Sequence, residues 1–401
     1  MVKCGTPNIY QMPSNDLRLM NMYAQHLQLA QERGEKPLPT PIALSLGEPH
    51  FQTPEHISGA AIKAIQHEEI TYGPAAGWPW LKELIAEKIK RVNSYDITVD
   101  NTAITMGGTG AIQTALNAIL EEGDEVLIPD PGWPQYNAQI TCSGGIPVRY
   151  SLSPQHGWLP DIGQLESLVN PRTRMLIMNT PANPTGIVFP QNLIADLLNF
   201  ALRYDLYLLS DECYDEIVFD GKHVSPATFL TPKEFEAGNV LCVYSFSKTY
   251  AMTGWRVGYI VASKEIIKTV THVLDSDYTN ISKIVQRAAA AALTGPQAYV
   301  DEMLAMYRAH RDLALSILQR TNHYAYTPGG SFYLLIDITP PGGLHAYSRD
   351  FAYDLLRERN VLVAPGTSFG QVTSKYVRIS LTAPTEDIAR GIEEICAFID
   401  R

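Results

Sequence analysis

The sequence predicts an α/β fold: a large domain with a mostly parallel central sheet covered by helices, plus a smaller α+β domain formed by the C-terminal part and the N-terminal segment. Three observations carry that prediction. Short apolar runs alternate with amphipathic helical patterns through the middle of the chain. The texture changes after a long helical stretch near residues 281–318. The 401 residues leave room for two domains.

Residues 1–45 read as an arm, with one polar stretch of helical character and then "EKPLPTPIALSLGEP", where Pro37, Pro39 and Pro41 enforce extended backbone. Residues 46–285 follow as the large domain. "LKELIAEKIKRV" puts Leu81, Leu84, Ile85, Ile89 and Val92 on one helical face, and "AIQTALNAIL" does the same with Ile112, Ala115, Leu116 and Ile119. Between such helices, "TAITM", "EVLIP", "RMLIMN", "LYLLS", "VLCVYS" and "VGYIVA" read as strands. The long helical stretch breaks near Gly295 and Pro296. Residues 286–401 hold it and the smaller domain, where "SFYLLIDI", "DFAYDLLRERN", "VLVAPG", "YVRISL" and "EDIARGIEEICAFI" read as strand, helix, strand, strand, helix.

Composition narrows the function. The chain is 45% hydrophobic and 18% charged, with a formal net charge of −11, which speaks against a general nucleic-acid surface. Five scattered cysteines without a Cys-x-x-Cys pair fit reduced thiols better than a disulfide framework or zinc site. The N-terminus lacks the apolar core of a signal peptide, and no apolar run approaches the ~20 residues that span a bilayer. A soluble, cytoplasmic protein is expected. The ten histidines show no ligand spacing, so no metal is predicted.

In open parallel sheets, ligands bind beyond the carboxyl ends of the strands. Five predicted strand ends carry chemistry: "GGTGA" with Gly108 and Thr109, "DPGW" with Trp133, "TPANPTG" with Asn183, "DECY" with Asp211 and Tyr214, and "SFSK" with Ser245 and Lys248. A glycine-rich helix start with a threonine hydroxyl suits a phosphate, to which Ser245 and Arg256 add donors and fixed charge. Trp133 offers a face for a flat ring, and Asp211 beneath that ring would hold a ring nitrogen protonated. Lys248, partly desolvated among these groups, suits a nucleophile. An anion, a flat heteroaromatic, a pyridinium partner and a Schiff-base lysine together describe pyridoxal phosphate.

From about residue 40 onward the chain resembles the class I and II aminotransferases of the aspartate aminotransferase superfamily, fold type I. "SLGEPHFQTP", "YGPAAG", "NTPANPTG", "SDECYDEIVF", "SFSKTYAMTGWRVGY", "PGGSFY" and "YVRISL" match in order and approximate spacing. The resemblance implies that Lys248 carries the cofactor as a Schiff base and then moves the proton, and that Asp211 pairs with the pyridine nitrogen. It implies that Tyr214 and Asn183 bond the phenolic oxygen, while Gly108, Thr109, Ser245 and Arg256 hold the phosphate and Trp133 stacks on the ring. Arg378 would clamp the substrate α-carboxylate with Gly47 nearby. Tyr72 would reach the neighbouring subunit's phosphate, so a homodimer is expected. The implied reaction is a ping-pong transfer of an amino group from an L-amino acid to a 2-oxo acid.

Plainer readings stand beside these. Lys248 can be a solvated lysine, Asp211 a helix cap, Trp133 mere packing beside Pro131 and Pro134, Tyr72 and Gly47 turn residues, and Arg378 an outward strand residue. The combination, not any single residue, favours the site. Ser245 to Lys248 also spells Ser-x-x-Lys, but the companion Ser-Asp-Asn and Lys-Thr-Gly motifs of penicillin-binding enzymes do not occur. "GTSFG" fits Gly-x-Ser-x-Gly, yet turn and strand follow it rather than a helix. "GTGAIQ" lacks the third glycine of a dinucleotide fingerprint.

The substrate is less legible. No arginine falls between Arg256 and Arg287, where dicarboxylate-selective members of the resembled family carry one, and Thr109 stands where another subgroup has lysine. Aspartate is therefore expected to be a poor donor. A neutral, aromatic or basic amino acid fits, the last if Asp275 and Asp277 face the site. A C–S β-lyase on the same fold is the alternative reaction. A ligand-sensing regulator is remote, because no basic helix-turn-helix precedes residue 40.

Overall fold

The computed structural model describes residues 40–339 and 347–401, with Met20, Met22, Leu29 and Arg33 ahead of them. The helical stretch expected within the arm lies outside the described residues apart from these positions. Strand β1 (Ile42–Ala43) is followed by β2 (Thr102–Thr105), β3 (Glu125–Asp130), β4 (Ile146–Ser151), β5 (Thr173–Asn179), β6 (Tyr207–Asp211), β7 (Val240–Ser245) and β8 (Gly258–Val261). Strands β2 to β8 form one sheet in the order β2-β8-β7-β6-β5-β3-β4. All pairs are parallel except those of β8, which runs against both neighbours.

Every residue of β2 and β3 is buried, as expected for strands covered on both faces. Helix Gly107–Ile119 lays Ala111, Ile112, Ala115 and Leu116 on one face of the sheet, in a core with Val126, Ile177 and Ile260. On the other face, Leu81, Ile85 and Ile89 meet Leu127, Leu176 and Leu208. The six strands predicted here all form. The seventh, β4, was not anticipated: it is an edge strand with Pro147 and a half-exposed pattern, so it lacks an apolar run.

The long helical stretch resolves into helices Lys283–Thr294 and Ala298–Arg320, broken around Gly295 as expected. Beyond it, β9 (Tyr333–Asp337), β10 (Val361–Leu362), β11 (Ala364–Pro365) and β12 (Tyr376–Ser380) form the small side. Strands β11, β12 and β9 make an antiparallel sheet, while β10 pairs in parallel with β1. "VLVAPG" therefore serves two sheets rather than one strand. The pairing of β1 ties residues 42–43 to this side, where Leu44 joins Val361, Ile379 and Ile392 in its core. Among the described residues no helix is long and apolar enough to cross a membrane.

Candidate active site

The parallel strands β2, β3, β5, β6 and β7 all end at one rim, so their following turns converge there. Because β8 runs the other way, it starts at that rim, with Gly258 opposite both Thr105 and Ser245. Its reversal puts the preceding Arg256 beside the glycine-rich helix start. A cavity of about 210 Å³ opens at this rim, and all the predicted site residues except Tyr72 line it. Tyr72 stands apart, 85% exposed.

On the floor, Asp211 ends β6 and is buried. Its carboxylate accepts from the Tyr136 hydroxyl at 2.5 Å and from the Cys213 backbone N–H at 3.2 Å. Burial raises its pKa above the usual aspartate range, outweighing the lowering by these two donors. Asn179 fixes the neighbouring turns: it donates to the Asp211 carbonyl at 3.0 Å and accepts the Asn183 N–H at 2.8 Å.

Lys248 sits in the one-turn helix Phe246–Thr249, which Ser245 caps by accepting the Ser247 N–H. The lysine is half-buried and donates to the Gly47 carbonyl at 2.5 Å. A side chain at Gly47 would run into the Tyr333 hydroxyl, so that position needs glycine for close approach, beyond any turn. Tyr214 and Tyr333 share a hydroxyl–hydroxyl bond of 2.9 Å, and burial pushes the Tyr214 phenol well above its ordinary value. Arg256 holds φ +54, a left-handed conformation that costs a non-glycine residue roughly 1 kcal/mol or more.

Arg378 comes from β12 and is buried to 2% exposure, inward rather than outward. It donates to Asn183 Oδ1 at 3.0 Å and to the Ser45 carbonyl at 2.6 Å, while its Nε has no partner among the described residues. Tyr333 and Phe369 cover its guanidinium, at 4.2 and 4.7 Å from the ring centres. Burial lowers its pKa, against the opposing pull of Tyr333 and Tyr214.

Two buried charges thus face one cavity with only neutral hydrogen-bond partners among the described residues. Asp211 suits a protonated ring nitrogen, Arg378 a carboxylate. The start of helix Gly107–Ile119, with Arg256 and Ser245 beside it, suits a phosphate. The donor set therefore fits pyridoxal phosphate. Tyr136, Tyr333 and Phe369 are site residues that sequence reasoning missed. Tyr333 lay inside a quoted motif but looked like strand core, and no spacing marks the other two. Asp275 and Asp277 are exposed on helix Lys264–Tyr278 and do not line the cavity.

Comparison with known proteins agrees. Residues 39–395 match the family model described as aminotransferase class I and II. The chain is 36% identical over 365 residues to the aspartate/prephenate aminotransferase of Thermus thermophilus, covering 90% of this chain and 91% of that one. It is 35% identical over 358 residues to an aspartate aminotransferase of Pyrococcus horikoshii, covering 88% and 89%. The structure of the Thermus thermophilus aspartate aminotransferase with maleate superposes with a TM-score of 0.90 at 33% identity, covering 99% and 100%. A Methanococcus jannaschii structure, described as similar in its active site to kynurenine aminotransferases, gives 0.86 at 30%, covering 99% and 100%. With a family match across nearly its whole length and relatives above one third identity, the chain belongs to the class I and II aminotransferases, which use pyridoxal 5′-phosphate.

Proposed function

We propose that this transaminase works through Lys248, Asp211 and Arg378, and that its donor is an L-amino acid with an uncharged side chain. The observation that carries the reading is the pair of buried charges, Asp211 and Arg378, that line one cavity with Lys248. Pyridoxal phosphate, when bound, supplies an aldehyde for the amino group and a ring that draws electrons from the α-carbon. Gly108, Thr109, Ser245 and Arg256 would hold its phosphate, Trp133 would face the ring, and Asp211 would keep the ring nitrogen protonated. Tyr214 and Asn183 bond the ring oxygen. Lys248 would be the residue that holds the cofactor, and its freed Nζ would carry the proton during the reaction. Arg378 clamps the substrate α-carboxylate, beside Gly47. The reaction overall would move the amino group of the L-amino acid to a 2-oxo acid, with both substrates clamped in turn at Arg378.

The relatives are named for aspartate. Among the described residues lining this cavity, however, the cations are Lys248, Arg256 and Arg378, and each already has a task. Phe369 and Tyr333 present aromatic walls instead, in keeping with the kynurenine-type likeness noted for the Methanococcus jannaschii structure. We take residues 46–285 as the cofactor-bearing part, and residues 286–401 with the leading segment as the part that brings Arg378. A homodimer is in keeping with the exposed apolar side chains of Ile62, Ile65, Ile70 and Tyr72, which follow one another closely in sequence. In it Tyr72 would reach the partner's phosphate site. A cytoplasmic setting is supported by the free thiols of Cys142, Cys213, Cys242 and Cys396.

Borohydride reduction of the cofactor-loaded protein, followed by peptide mass mapping, tests the reading. The expected result is a pyridoxyl adduct on Lys248. An adduct confined to other lysines would overturn it.

A further inference from the structure

Strand β3 ends in Asp130, a buried residue that does not line the cavity. Its carboxylate accepts two consecutive backbone N–H groups from across the molecule: Gln371 at 3.1 Å to one oxygen and Val372 at 3.2 Å to the other. Two residues on, the Gly132 N–H donates to the Phe369 carbonyl at 2.9 Å. The fit is close, for a Cβ at Gly370 would collide with the Asp130 carboxylate. Arg149, 40% exposed, is the nearby cation at 3.8 Å, too distant to satisfy the carboxylate alone. Residues 130–132 therefore clasp the turn at 369–372.

Both ends of that clasp carry cavity walls. Trp133 follows directly on one side, and Phe369 lies on the other with its ring 4.7 Å from the Arg378 guanidinium carbon. One end belongs to the seven-stranded sheet and the other to the loop between β11 and β12 of the small sheet. Three hydrogen bonds, two of them to a carboxylate, thus join the cofactor end of the cavity to its carboxylate-binding end.

We propose that Asp130 is a positioning residue for substrate binding: through its clasp on residues 369–372 it sets where Phe369, and hence Arg378, stands relative to the wall at Trp133. The inference rests on the reading of Arg378 as the α-carboxylate clamp. Asp130 touches neither substrate nor cofactor, so its effect falls on donor affinity rather than on the chemical step.

The test uses cofactor-loaded enzyme and single-turnover half-reactions with the best of the twenty amino-acid donors. Asp130→Ala removes the acceptor, and Gly370→Ala disrupts the same clasp from the opposite side. In each, the donor's apparent Kd rises about tenfold while the limiting rate stays within about twofold. The visible cofactor band is unchanged, and the amides of residues 371 and 372 exchange faster with deuterium. Asp130→Asn, which keeps the shape and weakens the acceptor, falls between wild type and Asp130→Ala. The double variant is no worse than the poorer single one, because both break one unit. Unchanged donor Kd in both single variants, or fully additive losses, overturns the inference while leaving the transaminase reading intact. A wild-type protein that forms no cofactor band fails that reading itself, and the inference with it.

Discussion

Arg378 on β12 and Asn183 beyond β5 meet at the cavity, Nη1–H to Oδ1 at 3.0 Å, joining the small sheet to the large one. Asn183 and the Ser45 carbonyl are neutral acceptors, so the guanidinium keeps its full charge for an incoming anion. Tyr333 and Phe369 hold its plane from the two rings. A planar fork held in that way recognises a carboxylate through two parallel hydrogen bonds.

Arg378→Lys keeps the charge and loses the fork. Removing a buried, charge-assisted contact costs about 2–5 kcal/mol. Steady-state kinetics of the variant should therefore show kcat/KM reduced about thirtyfold or more, mostly through KM, with the cofactor band retained. A variant within about threefold of wild type would mean that the α-carboxylate binds elsewhere.

Asp211 presents the opposite charge. Its folded pKa is raised by burial, so its ionised form is disfavoured. The stability linked to this group is present below the unfolded value and lost as pH rises through the raised folded one. Near neutral pH, Asp211→Asn relieves that cost in the cofactor-free protein. Its melting temperature should hold or rise by about a degree or two, while affinity for pyridoxal phosphate falls at least about tenfold. Calorimetry with and without cofactor checks both halves. Destabilised apoprotein together with unaltered cofactor binding would remove Asp211 from the proposed role.

Behind the turn that carries Tyr214, Lys88 is 3% exposed and ion-paired with Asp215, with Glu216 3.6 Å away. It also donates to Asn93 at 3.0 Å and lies 5.0 Å from the centre of the Tyr244 ring. Burial alone would lower the lysine pKa, but the two carboxylates outweigh it and raise it. Lys88→Met leaves a buried carboxylate without its cation and should cost about 3–5 kcal/mol in urea unfolding. Adding Asp215→Leu should restore at least half of that loss. No recovery in the double variant would show that the helix needs Lys88 for some reason other than this pair.

Glu212, also buried, accepts from His223 at 2.7 Å, Ser225 at 2.8 Å and Tyr244 at 2.9 Å. Burial alone would raise its pKa, but His223 and the other donors outweigh it and leave it lowered. Stability from such a group is full above the unfolded value of about 4.3 and is lost as pH falls through the depressed folded one. Glu212→Gln should be less stable at pH 7, with a flatter decline below about pH 4.3. Parallel acid-unfolding curves for the two proteins would exclude Glu212 as a contributor.

Much of this site was readable before folding because its residues follow apolar runs, and parallel strands deliver whatever follows them to one edge. That logic placed Gly108, Trp133, Asn183, Asp211 and Lys248 around one cavity. It worked less well for Arg256, whose place depends on β8 running backwards, and there the motif rather than the topology supplied the expectation. Strand β4 went unseen because an edge strand needs no continuous apolar run. Lys88 fell on the apolar face of its helix, and nothing nearby in sequence names Asp215, 127 positions away, as its partner. Tyr136 and Phe369 are typical core aromatics by sequence, and become site residues only through contacts made by long-range packing.

The most direct test of the central claim is visible absorbance of the cofactor-loaded protein during titration with single amino acids, without any 2-oxo acid. The expected result is a yellow band, altered by Lys248→Ala, that donors with apolar or aromatic side chains bleach at low concentration and aspartate bleaches poorly. Aspartate far exceeding all other donors would contradict the proposed substrate class. A protein that never acquires the band, or whose band no amino acid changes, would contradict the proposed catalytic role of Lys248, Asp211 and Arg378.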